Sequence, residues 1–331
     1  MTMKKIAIVG AGVAGLTALQ TLAEHAHVTV FDKSRGSGGR LASKLLNDSS
    51  WDMGAQFIRA HTEEFRLTLA QWESQGWISR WPVTPWRISP NAQAPSPDGV
   101  DRFTGTPRMT ALSRHLLTKA SEFIGSARIV STHFDGSWHL QDEDGRKYGP
   151  FDALVINTPP QQALPLLPEV SPLRDQVAQC EMLPCWTLLL SFDEPLKVPF
   201  DAAFVSDSPL AWIARNNSKT GRAAEEAWVL QASHDWSRDH CEHPREQVQQ
   251  ALLQAFADAC GTLPPLREQW LHRWLYAIPE QSPALGALAD ASHNLVITGD
   301  WCQHGSVEGA WISGNIAARK LLENPELENR G

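Results

Sequence analysis

The chain has 331 residues, 42% of them hydrophobic and 20% charged, with a net charge of −8 at pH 7. That is enough apolar material for a real core and enough length for two domains. An acidic balance without a basic block argues against a nucleic-acid surface, and no apolar run reaches the eighteen or more residues a membrane span needs.

The first strand begins at Lys4, which leaves no room for a cleavable leader, so the cytoplasm is the expected location and a monomer the default state. The five cysteines (Cys180, Cys185, Cys241, Cys260 and Cys302) are odd in number and lack metal-ligand spacing. They read as free, mostly buried thiols, and no metal is expected.

KKIAIVG, from Lys4 to Gly10, reads as a buried strand that runs into the glycine turn GAGVAG, Gly10 to Gly15. A helix and a second strand, VTVFD, follow and close on Asp32. This strand, turn, helix, strand and acid order is the unit that grips the adenosine diphosphate half of a dinucleotide. Gly10 permits the turn, Gly12 lets the backbone approach the pyrophosphate, and Gly15 lets the helix lie against the strand. With Ala11, Val13 and Ala14 they bring phosphates to a helix N-terminus, where free N–H groups and the macrodipole favour negative charge. Asp32 is placed for ribose hydroxyls.

Further along, Trp81 to Asp101 is rich in proline and has no usable period, so it reads as a long loop. Met109 to Ala120 has helical spacing, ARIVSTHF and SWHLQD read as a hairpin turning at Asp135 and Gly136, and ALVINTPP as a buried strand broken by prolines. WTLLLSFD, AAFVSD, AWIARN, AWVLQAS and HRWLYAIP are successive short strands, which suggests a mainly antiparallel sheet, with a helix from Pro244 to Cys260 between the last two. NLVITGD is a final strand, SVEGAWISGNIAARKLLE the closing helix, and the tail beyond Asn324 is expected to fray.

The expected fold is therefore α/β: a discontinuous Rossmann-type FAD-binding domain with an inserted α+β substrate domain built on a mainly antiparallel sheet. The cofactor domain is expected at 1–58, 105–160 and 287–331, and the substrate domain at 59–104 and 161–286.

FAD is favoured over a nicotinamide nucleotide because ligand-facing elements are spread over the whole chain. KSRGSGGR adds Lys33, Arg35, Gly39 and Arg40 near a pyrophosphate. DMGAQF offers Gly54, Ala55, Gln56 and Phe57 as a small-residue approach to a wide ring. Ile129 joins the set. TGDW supplies Gly299 and Asp300, and the closing helix supplies Val307, Glu308, Gly309 and Ala310, with Glu308 read first as a helix-capping carboxylate. For a substrate cavity the candidates are Phe57 and Arg59, Arg215 and Asn216 in WIARN, and Trp274 and Tyr276 in HRWLYA. No compact catalytic constellation is visible, so no catalytic side chain is assigned.

GAGVAG, SRGSGGR, DMGAQF and GDW with SVEGAWISG together resemble the flavin-containing amine oxidase and phytoene desaturase superfamily, and within it the bacterial renalase-like proteins. The resemblance implies an FAD oxidase that takes a hydride from the 2- and 6-dihydro isomers of NAD(P)H and passes the electrons to O2 as hydrogen peroxide. Asp32 stands where glutamate is commoner. Covalent members attach the flavin through a cysteine ahead of the final strand, and none lies between His272 and Thr298, so non-covalent FAD is expected. The alternatives are an amine oxidase or desaturase acting on a small apolar substrate, and a non-catalytic flavin-bound sensor. Against the amine reading, Lys219 is the only lysine between Lys197 and Lys320 and stands in a loop-like setting, NNSKTGR.

Overall fold

The computed structural model describes residues 3–47, 49–281 and 284–328. It divides into two compact units, Met1–Gly39 with Leu112–Met182 and Ile278–Gly331, and Arg40–Ala111 with Leu183–Ala277. The first is built from three stretches, as a discontinuous nucleotide domain requires. The divisions fall elsewhere than expected: 40–58 and 105–111 lie in the second unit, and 161–182 with 278–286 in the first.

The first unit carries a six-stranded sheet in the order Leu288–Asp290, Leu295–Ile297, Ala153–Ile156, Lys4–Val9, Ala26–Phe31, Glu122–Ile124. All pairs are parallel except the first. Ile6 pairs with Val28 on one side and Ala153 on the other, so the strand order reverses about Lys4–Val9. In open α/β sheets, ligands bind at the carboxyl end of such a switch point. Its inner strands are continuous apolar runs because both faces are covered, by helices on one and by a small three-stranded sheet on the other. Among those helices, Val13–Leu22 crosses Val307–Leu322, and the crossing depends on Gly314: a Cβ there would stand 2.3 Å from the Ala14 carbonyl oxygen. The expected hairpin is present as Ile129–Phe134 and Trp138–Asp142, extended by Lys147–Phe151. Phe31 packs edge-on to Tyr148 and Phe151, joining this small sheet to the large one.

The second unit is a seven-stranded sheet in the order Leu266–Pro279, Met182–Phe192, Ala227–Ala232, Leu210–Arg215, Ala202–Val205, Trp86–Ser89, Ala92–Pro95. Residues alternate between its faces. Leu188, Leu190, Ile213, Trp228 and Leu230 point to one face, where Val248, Leu252 and Phe256 of the helix Arg245–Cys260 cover them. Burying each such side chain stabilises the fold by about 1.5 to 3 kcal/mol. Onto the other face pack two clusters, Trp51 with Leu189, Ala227 and Val229, and Trp81 with Ala202, Trp212 and Ala214.

Two local expectations are corrected, and one helix is added. Trp81 to Asp101 is not simply a loop: Trp86–Ser89 and Ala92–Pro95 form a hairpin on the sheet edge, held by Ile88 in the core and by Gln93, whose amide donates to the Ala259 carbonyl at 2.9 Å. Its prolines sit at strand ends and on an edge, where a missing N–H costs nothing. An amphipathic helix unread in the sequence, Glu63–Ser74, is capped by Thr62 and buries Phe65, Leu69 and Trp72. Of the tail beyond Asn324, Pro325–Glu328 form a short helix anchored by buried Leu327, and 329–331 lie outside the described residues. No helix is long and apolar enough to cross a membrane, among the described residues.

Candidate functional site

In the first unit the glycine turn is shaped by Asn157, at the end of the strand Ala153–Ile156. Its side-chain amide donates to the Gly10 carbonyl at 3.0 Å. A Cβ on Gly10, whose φ is +105°, would stand 2.2 Å from the Asn157 carbonyl oxygen, and one on Gly15 would stand 2.6 Å from the Asn157 amide nitrogen. No other residue type fits at either place. Gly12 N-caps the helix Val13–Leu22 with no side chain of its own, which leaves its first N–H groups for an anion.

Asp32 ends the second strand. One carboxylate oxygen accepts the Ala11 N–H at 2.8 Å and the other the Ser34 N–H at 2.7 Å. The carboxylate is thus fixed in place, and each oxygen keeps an acceptor site for a ribose hydroxyl. The second glycine stretch returns across the first: the Gly38 N–H donates to the Ala11 carbonyl at 2.8 Å, and a Cβ on Gly39 would lie 3.7 Å from the Gly12 Cα. Lys33 reaches Gln162 at 3.5 Å, and burial, then the Arg128 charge, lower its pKa. Arg35 is exposed and Ile129 buried.

A second helix N-terminus serves the same unit. Ser306 caps Val307–Leu322, its hydroxyl accepting the Gly309 N–H at 2.9 Å, so the capping role expected of Glu308 belongs to Ser306. Glu308 is instead a buried carboxylate in the first turn, at the positive end of the helix. Gly309 is obligatory, since a Cβ would stand 2.0 Å from the His304 carbonyl oxygen. Ahead of it, Gly299 donates to the Ser313 hydroxyl at 3.1 Å and Asp300 is buried. Val307 and Ala310 complete the turn.

In the second unit the segment from Ser50 to Phe57 is a pinned strap. The Asp52 N–H donates to the Asn216 side chain at 3.2 Å, and Asn216 in turn donates to the Ser50 carbonyl at 2.6 Å. The Trp274 indole donates to the Met53 carbonyl at 3.0 Å, Gln231 to the Gly54 carbonyl at 2.7 Å, and the Ala55 N–H to the Arg40 carbonyl at 2.9 Å. Gly54 is wedged so that a Cβ would stand 2.0 Å from the Arg40 carbonyl oxygen and 3.3 Å from the Trp274 ring.

Below the strap sits a sealed charge cluster. Lys219 reaches Asp52 at 3.3 Å and the Gln56 side-chain carbonyl at 3.2 Å, and Arg222 donates to the same Asp52 oxygen. All three charged groups are at most 1% exposed. Burial alone would raise the Asp52 carboxyl, but Lys219 and Arg222 more than reverse it, and its pKa is lowered. Lys219 goes the other way: burial, helped by Arg222 and opposed by Asp52, pulls it down to about 8. The backbone there is indeed a loop, yet the side chain is part of the interior.

The predicted substrate residues separate. Phe57 packs on Trp212 with ring centres 5.6 Å apart and under the Arg102 guanidinium at 4.9 Å. Arg59 is exposed, and Tyr276 partly buried. Arg215 is taken up structurally: it pairs with Asp201 at 3.1 Å and Glu226 at 3.2 Å and donates to the Leu196 carbonyl at 3.0 Å. A fork so occupied is not offered to a substrate phosphate. Asn216, 1% exposed, holds the strap rather than a ligand, and Trp274 spends its N–H on the strap. Arg40, expected at a pyrophosphate, donates to the Ala277 carbonyl at 3.0 Å. Sequence reasoning missed Asn157, Asp52 and Arg222, and read Lys219 only as a loop lysine.

The cradle fits a dinucleotide: glycines where a Cβ would collide, an anchored ribose-side carboxylate and two helix N-termini. Residues 8–71 match the NAD(P)-binding Rossmann-like domain, and residues 118–322, more than half the chain, match the flavin containing amine oxidoreductase family. Among solved structures, a protein from Exiguobacterium sp. 255-15 assigned as a protoporphyrinogen oxidase is similar over 99% of this chain and all of its own, with a TM-score of 0.76 and 13% identity. Wild-type putrescine oxidase bound to putrescine is similar over 96% of this chain and 99% of its own, with a TM-score of 0.75 and 10% identity. Those identities speak for the fold alone. The family match and the cradle together make the cofactor FAD, and the chain belongs to the flavin containing amine oxidoreductase family.

Proposed function

We propose that the protein is a renalase-like oxidase of the 2- and 6-dihydro isomers of NAD(P)H. The balance is dihydro-NAD(P) + O2 + H+ → NAD(P)+ + H2O2, with FAD supplying hydride acceptance and return of the electron pair to oxygen. The observation that carries this reading is the state of Lys219, whose ammonium is tied to Asp52 and Gln56 beneath the strap. Loss of hydride from a dihydropyridine leaves an aromatic pyridinium, so the protein has no proton to abstract. Its task is orientation, and a strap pinned from several directions suits that task.

In this reading the Gly10–Gly15 turn, Asp32 and the helix starting at Val307 hold FAD, and Phe57 belongs to the substrate-binding set. Attachment is non-covalent: Cys302 is completely buried and its burial raises the thiol pKa, which disfavours the thiolate a flavin link would need. The protein acts as a cytoplasmic monomer on a dissolved dinucleotide.

An amine oxidase is the second reading, favoured by the same lysine: an ammonium pulled down to about 8 is close to releasing its proton. Stopped-flow mixing of the flavoprotein with dihydro-NAD(P) isomers and with a panel of amines separates the two. The isomers are expected to bleach the flavin rapidly and to yield peroxide in steady turnover. Bleaching by amines alone would overturn the proposal, and no turnover with any donor would favour a sensor.

A further inference from the structure

Trp212 is 6% exposed, and its indole N–H has no acceptor among the described residues. The five tryptophans that are at most 1% exposed are satisfied: Trp51, Trp138, Trp186, Trp228 and Trp301 each donate to a carbonyl or carboxylate oxygen within 3.1 Å. An interior donor left unpaired is destabilising unless something else supplies the acceptor.

Its surroundings say what could. Thr187, Gln231, Trp212 and Phe204 stand opposite one another on four adjacent strands, so their side chains share one face of the sheet. Gln231 of that row donates to the Gly54 carbonyl, which makes this the face that carries the strap. Around the Trp212 ring stand Phe204 at 4.7 Å, Phe57 at 5.6 Å and Trp81 at 6.4 Å between ring centres. Phe57 and Phe204 are only partly buried, so they are the side chains a ligand would displace to reach the donor. The environment is flat and aromatic, with the Arg102 guanidinium over Phe57 and the Lys219 ammonium over Trp81, and on Trp212 itself the indole N–H is the donor left without an acceptor.

Resting on the reading under Proposed function, we propose that Trp212 is a specificity-determining residue whose indole N–H binds the carboxamide oxygen of the substrate's nicotinamide ring. A carbonyl oxygen accepts hydrogen bonds and sits on a planar ring that the phenyl faces can stack. A protonated amine is a donor only and cannot satisfy an N–H, so the same residue selects against amines.

The test uses the FAD-loaded protein and the perturbation of its flavin absorbance by NAD+ and by the NAD+ analogue bearing a 3-methyl group in place of the carboxamide. Wild type is expected to bind NAD+ about tenfold more tightly than the analogue, and Trp212→Phe to lose that preference by weakening NAD+ alone. Equal weakening of both ligands, or an unchanged ratio, overturns the assignment, since a packing role would move both together. Should Trp212→Phe not fold, the wild-type ratio still decides: no preference for NAD+ overturns it. The two readings fail separately. Wild type that turns over dihydro-NAD isomers without the preference loses only Trp212, whereas wild type that turns over none loses the reading beneath it.

Discussion

Asn157 grips Gly10 from two directions, donating its side-chain amide to the Gly10 carbonyl at 3.0 Å while its own backbone carbonyl closes the space where a Gly10 side chain would begin. The two stretches from which this contact is made are 147 residues apart. Glycine is therefore required here by a neighbour as well as by the turn.

The two glycine-rich stretches should respond differently to alanine. Gly15→Ala places a Cβ 2.6 Å from both the Asn157 amide nitrogen and the Gly10 carbonyl oxygen. It is expected to cost about 1 to 3 kcal/mol and to weaken FAD binding. A Cβ on Gly36 meets nothing within 4 Å, so Gly36→Ala should stay within about 0.5 kcal/mol of wild type. Urea unfolding and FAD titration of both apoproteins check this, and equal losses would show the cradle geometry to be wrong.

Removing the carboxylate from the sealed cluster strands two buried cations. Asp52→Asn should destabilise the protein by about 3 to 5 kcal/mol. Adding Lys219→Met to it should recover part of that loss, because one of the stranded charges goes too. Additive losses in the double variant would mean that the cluster is not coupled.

Lys219 also predicts a slope against pH. Its folded pKa of about 8 lies below the ordinary lysine value of 10.5, so between those limits the unfolded chain holds a proton that the folded chain has released. Stability conferred by this group therefore rises as pH increases from about 8 toward 10.5. The stability difference between wild type and Lys219→Met, measured by urea unfolding at several alkaline pH values, should shift in favour of wild type across that window. A flat difference would place the ammonium in solvent.

For Arg215 the expected readout is stability rather than catalysis. Arg215→Ala leaves the buried Glu226 without its cation and the Leu196 carbonyl without a donor, at about 2 kcal/mol. The KM for the dinucleotide should not move. A raised KM with unchanged unfolding would return Arg215 to the substrate site.

What was legible in the chain was whatever backbone geometry decides locally. Gly10, Gly12, Gly15 and Asp32 could be read because a strand, a turn and a helix impose their spacing within some twenty residues, and the antiparallel strands because short apolar runs follow one another with only turns between. The hairpin at Trp86 to Pro95 was hidden, since its prolines occupy edge positions that the sheet tolerates but that mimic a loop. Lys219 and Asp52 were illegible for another reason. A lysine in NNSKTGR looks solvated until a carboxylate 167 residues away is found beside it. Asn216 and Trp274 were picked out as notable, but hydrogen bonds to the strap backbone, invisible in one dimension, assign them to support.

The close passage of Gly314 over Ala14 has a consequence for biosynthesis. The Gly10–Gly15 turn leaves the ribosome before its neighbours, with its flanking strand still missing the partner at Ala153–Ile156 and its helix still missing the neighbour at Val307–Leu322. Until Val307–Leu322 has been synthesised, that turn has no finished surface to fold against. Nascent chains truncated ahead of Ser306 should therefore remain unable to retain flavin, however long they are given.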